Sequence, residues 1–229
     1  MVTCLSDVIA QKQEEPITND DELKNTGKST PIVHVIIEGT ENLDKIKGGT
    51  GNDRISGEGA DDTINGGKGD DKLYGNDDND RLNGELGDDE LDGGAGQDII
   101  KGEAGDDKLI GKDGNDKLEG GKGDDKIDGG QGNDNIQGND GNDDIDGADG
   151  DDTIKGGGGN DKIDGGKGND NLIGGEGKDK FKGGKGADTF TCDLADEITD
   201  FDSAEGDKRI GDCLLDDKAS SGILWLINA

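Results

Sequence analysis

Large apolar residues return at every ninth position through most of this chain. They stand at Ile46, Ile55, Ile64, Leu73, Leu82, Leu91, Ile100, Leu109, Leu118, Ile127, Ile136, Ile145, Ile154, Ile163, Leu172, Phe181 and Phe190. Each has mostly polar neighbours, as in Lys126-Ile127-Asp128, a pattern that predicts a short strand showing one face to a core. The six residues between triplets are rich in Gly, Asp and Asn, which predicts a turn. The period runs from Gly39 to Thr191 without a slip, so the chain reads as seventeen stacked units. If two units make one coil, strands of alternate units pair in parallel about 4.8 Å apart, with their turns stacked along two edges. The expected fold is an all-β, right-handed parallel β-roll, a solenoid closed by a C-terminal cap.

The polar positions are as regular as the apolar ones. An Asp precedes every apolar marker by two residues, from Asp44 to Asp188, and a Gly precedes it by seven, from Gly39 to Gly183. A second Gly, four residues before the marker, is replaced in three units by Asn42, Ala60 and Asp78. Units such as GGKGDDKID from Gly120, GGQGNDNIQ from Gly129 and GGKGNDNLI from Gly165 match G-G-x-G-x-D-x-U-x, with U a large apolar residue. Over roughly two thirds of its length the chain resembles the RTX, or haemolysin-type, calcium-binding repeat family.

That resemblance implies calcium as the cofactor, held by Asp carboxylates and main-chain carbonyls of neighbouring turns. Carried over by position, it makes Asp53, Asp71, Asp89, Asp107, Asp125, Asp143, Asp161 and Asp179 ligands along one edge. Asp62, Asp80, Asp98, Asp116, Asp134, Asp152, Asp170 and Asp188 are the counterparts along the other. The residues just before them, such as Asn115, Asp124 and Asn133, would shape the turn. An ion midway between two stacked turns would lie about 2.4 Å from each along the stack, close to a calcium–oxygen distance. Pairing each unit with the next but one allows at most about 15 ions. Magnesium suits such turns less, because it demands tight octahedral geometry and keeps its water.

Composition turns this from an option into a requirement. Only 26% of residues are hydrophobic, 46 are Gly, and the formal net charge is −32. Such a chain cannot offset its ordering entropy with one inward side chain per nine residues. About fifteen divalent ions would bring roughly +30 against that charge. The repeat region is therefore expected to fold on binding calcium. The same acidity disfavours nucleic acid and anionic membrane surfaces as partners, and no apolar run is long enough for a transmembrane helix.

Residues 1–31 are polar and unpatterned and read as a flexible leader without a convincing signal peptide. The roll is expected over 32–191, opened by the β-prone run Ile32–Ile37 that contains the single His34, read as structural. Residues 192–229 are expected to cap it. ADEITDFDSAEGDKRIGDC resembles the segment that closes RTX arrays, with Ile198 and Phe201 packing over the last coil. Ile223–Ile227 reads as a capping strand or as an exporter's recognition segment. Cys192 and Cys213 bracket the C-terminal segment, where a disulfide would brace a cap with little core of its own, leaving Cys4 as a spare thiol or a lipid-attachment remnant.

No constellation for catalysis stands out, since Asp and Asn recur everywhere and there is one His. Collagen fails on Gly spacing, and an EF-hand fails for want of flanking helices. The expected role is a secreted or cell-surface structural or adhesion module, whose partner at the surface or in the matrix the residues do not name. The alternative is the C-terminal export and folding module of a secreted enzyme or toxin.

Overall fold

The computed structural model describes residues 34–215. The described residues contain strands and turns and no helix, and so no helix long and apolar enough to cross a membrane. Strand β1 spans Ile36–Thr40, β2 Lys45–Thr50 and β3 Arg54–Glu58, and strands then recur at nine-residue intervals to β17 at Lys180–Lys185. Four shorter strands follow: β18 (Thr189–Cys192), β19 (Glu197–Ile198), β20 (Lys208–Gly211) and β21 (Leu214–Leu215).

Odd-numbered strands form one sheet of eleven and even-numbered strands a second of ten, every pairing parallel. Each residue faces the residue eighteen positions away, so Leu118 lies between Ile100 and Ile136, and Ile127 between Leu109 and Ile145. Two nine-residue units therefore make one coil, and the structure is a parallel β-roll of about ten coils. Most strands run six residues rather than three, because the backbone of the repeat glycine and the residue after it stays in the ladder, as Gly121 does between Glu103 and Asn139.

The core is one file of side chains per sheet. Ile55 through Phe190 at the ninth positions are at most 2% exposed, while Ile46 at the N-terminal end is only partly buried. On the outer faces, in-register stacking places opposite charges together, as in Lys108–Glu90 (3.1 Å) and Lys101–Glu119 (2.6 Å), and Arg54 over the Tyr74 ring. Exposed pairs of this kind contribute little stability each.

Both sheets continue past Thr191 after the period has broken. Ile198 takes the place above Phe181 with an offset of seventeen, and Lys208 pairs with Thr189 with an offset of nineteen. Ile198 is fully buried, and Phe201 packs on the core with its ring 6.2 Å from Phe190. Cys192 and Cys213 are joined as a disulfide with Cα atoms 5.5 Å apart. His34 lies one coil before Asn52, whose N–H it accepts at Nδ1, so it opens a hydrogen-bond ladder rather than a reactive site. Residues 32 and 33, the leader and Ile223–Ile227 lie outside the described residues.

Candidate metal centre

Every coil turns twice, and each turn brings its repeat Asp inward. At every ninth position from Asp53 to Asp188 these aspartates are at most 3% exposed. Their Oδ1 atoms accept the N–H of the Asp one coil earlier: Asp98 N donates to Asp116 Oδ1 at 2.8 Å, and Asp107 N to Asp125 Oδ1 at 2.9 Å. Their carbonyls accept from the next coil, as Asp98 O does from Lys117 N at 2.9 Å. Each Asp is thus fastened to both neighbouring coils. Sixteen of these residues are the ones the sequence singles out, divided between the edges as expected: Asp53 to Asp179 on one, Asp62 to Asp188 on the other.

The second carboxylate oxygen is another matter. In all fifteen residues from Asp62 to Asp188, Oδ2 is buried and meets no donor. It lies over the first glycine of its own unit: a Cβ built on Gly120 would collide with Asp125 Oδ2, and one on Gly111 with Asp116 Oδ2. That glycine recurs without exception because the carboxylate occupies its side-chain space. The second recurrent glycine answers a different demand. Gly114 has φ +147°, and a Cβ on it would strike the Gly96 carbonyl of the coil before.

Where this glycine is replaced, the backbone changes, with φ of 73° at Ala60 and 74° at Asp78. Asn42, Ala60 and Asp78 are spaced by eighteen residues and so lie consecutively on one edge. The other edge keeps the glycine in every unit from Gly51 to Gly177.

Burial sets the electrostatics. Loss of hydration pushes the carboxyls of Asp98 and Asp125 up to about 7, with the backbone N–H bond working against it and stacked aspartates adding to it. Asp62, Asp80 and Asp143 rise to about 6 for the same first reason. A buried carboxylate without a donor for half its charge is unstable unless a proton or a cation meets it.

The residue before each Asp forms a second ladder at the exposed tips, running the other way. Asn142 N donates to Asp124 Oδ1 at 2.8 Å, and Asn133 N to Asn115 Oδ1 at 2.7 Å. These side chains brace the turns. Among the described residues no three His, Cys, Asp or Glu side chains gather around one point, so the carboxylates stand in single file. That donor set is all oxygen and fits a hard cation completed by main-chain carbonyls.

A family description made of four copies of the RTX calcium-binding nonapeptide repeat matches residues 38–73, 74–109, 101–136, 137–172 and 156–190. The chain belongs to the RTX calcium-binding nonapeptide-repeat family. This RTX chain is accordingly a calcium-binding repeat protein with a β-roll fold. No curated protein matches it.

Sequence reasoning missed the carboxylates that carry the ladder beyond the period. Asp196 Oδ1 accepts from Asp179 N at 2.9 Å, Asp207 Oδ1 from Asp188 N at 3.0 Å, and Asp200 caps Gly183 N and Gly184 N at 2.8 and 2.9 Å. Their offsets of sixteen, seventeen and nineteen hide them from a nine-residue template. The local spacing Asp196-Glu197-Ile198, the same Asp-x-apolar step as in the repeats, was the available signal.

Proposed function

We propose that this chain is an extracellular, non-catalytic calcium-binding module whose roll folds only as calcium binds. In this reading the ligands are the carboxylates of Asp53 to Asp179 on one edge and Asp62 to Asp188 on the other. The carrying observation is the run of fifteen buried Oδ2 atoms without a donor. Calcium would supply positive charge and oxygen coordination between stacked turns. The chain's own residues do the rest: Oδ1 fixes the rotamer of each Asp, the first glycine leaves room for Oδ2, and the second glycine permits close approach of carbonyls.

Among the described residues the fifteen carboxylates from Asp62 to Asp188 meet no positive partner, so folding without ions would bury a column of unpaired charge. Folding and binding are then one event. The Cys192–Cys213 disulfide supports an oxidising location outside the cytosol. The deciding experiment is far-ultraviolet circular dichroism on the full chain, titrated from chelator to millimolar calcium. A change from disordered to β-rich signal is expected, and identical spectra throughout would sink the reading.

A further inference from the structure

The aspartate ladders have ends, and three of these are built unlike the interior. Asp44 stands first on its edge, and its Oδ2 is already occupied by Thr40, whose N–H donates at 2.8 Å and whose hydroxyl lies at 3.0 Å. At the other end of that edge Asp207 accepts Asp188 N–H on Oδ1 and Asp202 N–H on Oδ2, at 3.0 and 2.7 Å. On the opposite edge the last member, Asp196, accepts Asp179 N–H on Oδ1 at 2.9 Å and Asp193 N–H on Oδ2 at 2.8 Å. The oxygen that is bare in the fifteen interior residues is thus met by a donor of the protein at these three.

We propose that Asp44, Asp196 and Asp207 are metal-free terminators, carboxylates that occupy the ladder but do not take calcium. The inference rests on the reading that interior aspartates do. An ion at Asp44 would have to displace Thr40 and leave its part-buried N–H without an acceptor, an unfavourable exchange. At the far end the donors of Asp196 and Asp207 come from 193–202, the segment in which the period fails, so the sequence change and the loss of the bare oxygen coincide. Sequence alone assigns Asp44 to the same repeat class as Asp62, and only the donor at Oδ2 separates them.

The test is an anomalous-difference map from crystals of the full chain grown in calcium. Peaks are expected beside Oδ2 of interior residues such as Asp98 and Asp125, and none on the carboxylates of Asp44, Asp196 or Asp207. A peak on any of the three overturns the inference and leaves the proposed function standing, whereas a map without peaks anywhere overturns the function and the inference with it. A Thr40→Val crystal adds a second arm. The backbone N–H of residue 40 still meets Oδ2 in this variant, so its map should stay empty at Asp44, and a peak there would overturn the role given to that N–H.

Discussion

The interior turns and the terminal turns use the same residue for opposite ends. In the interior, Asp125 is held by one oxygen and bare at the other, so the turn is incomplete as protein. At the C-terminal end, Asp207 is held by both, so the turn is complete without any ligand. The difference teaches that, on the function proposed above, a repeat Asp takes a cation where its neighbours leave an oxygen unmet.

The largest effect expected to sharpen this comparison comes from chelation. Removing calcium from the full chain should abolish most of its β signal in circular dichroism, because every interior turn is left with an unmet charge. A roll that kept its spectrum in chelator would erase the distinction between interior and end.

Acid should partly replace the metal. Asp98 and Asp125 are raised to about 7 in the folded chain, against roughly 4 in an unfolded one. A raised carboxyl pKa favours the protonated folded form, so this contribution is fullest below about pH 4 and is lost as the pH rises through about 7. In calcium-free buffer the β signal should therefore grow as the pH falls from about 7 towards 4. With calcium present the sign reverses, since protons compete for Oδ2 and the calcium midpoint should rise on acidification.

Disulfide reduction probes the end alone. Cys192 and Cys213 are 21 residues apart, a loop whose cross-link contributes about 3 kcal/mol in the chain-entropy account. In saturating calcium, reduction should raise hydrogen exchange in 193–213 and leave 100–150 protected, as peptide-level mass spectrometry would show.

A matched pair of substitutions separates the two kinds of aspartate. Asp125→Asn should raise the calcium midpoint about tenfold, or ~1.4 kcal/mol, and at the same time favour the calcium-free fold by removing a buried charge. Asp207→Asn should lower stability by about 1 kcal/mol, because the amide nitrogen cannot accept and one of the two N–H bonds is lost, with the calcium midpoint unmoved. Isothermal titration and thermal melts of both variants give these readings. Equal shifts in the midpoint would break the comparison.

The smallest effect belongs to the outer ladder. Asp124 braces the turn by accepting from Asn142 N, and this hydrogen bond holds its carboxyl below the usual range. Asp124→Ala should lower the thermal midpoint only slightly and leave calcium binding as it was.

Much of this was legible in the chain itself. A nine-residue recurrence of Ile, Leu or Phe with Asp two places before it leaves a two-turn coil as the economical solution, and it names the buried file from Ile55 to Phe190 and the aspartates beside it. These are local, periodic properties, and a solenoid repeats them because each coil meets only its neighbours. What the recurrence could not carry was anything dependent on a single contact. That Thr40 satisfies Asp44, that Asp196 and Asp207 continue the ladders at offsets of seventeen and nineteen, and that Asn42, Ala60 and Asp78 share one edge were decided in three dimensions. The pattern of the sequence set where carboxylates are buried; the tertiary structure decided which of their oxygens meet a donor of the protein, because only packing brings a donor within reach of one and withholds it from the next.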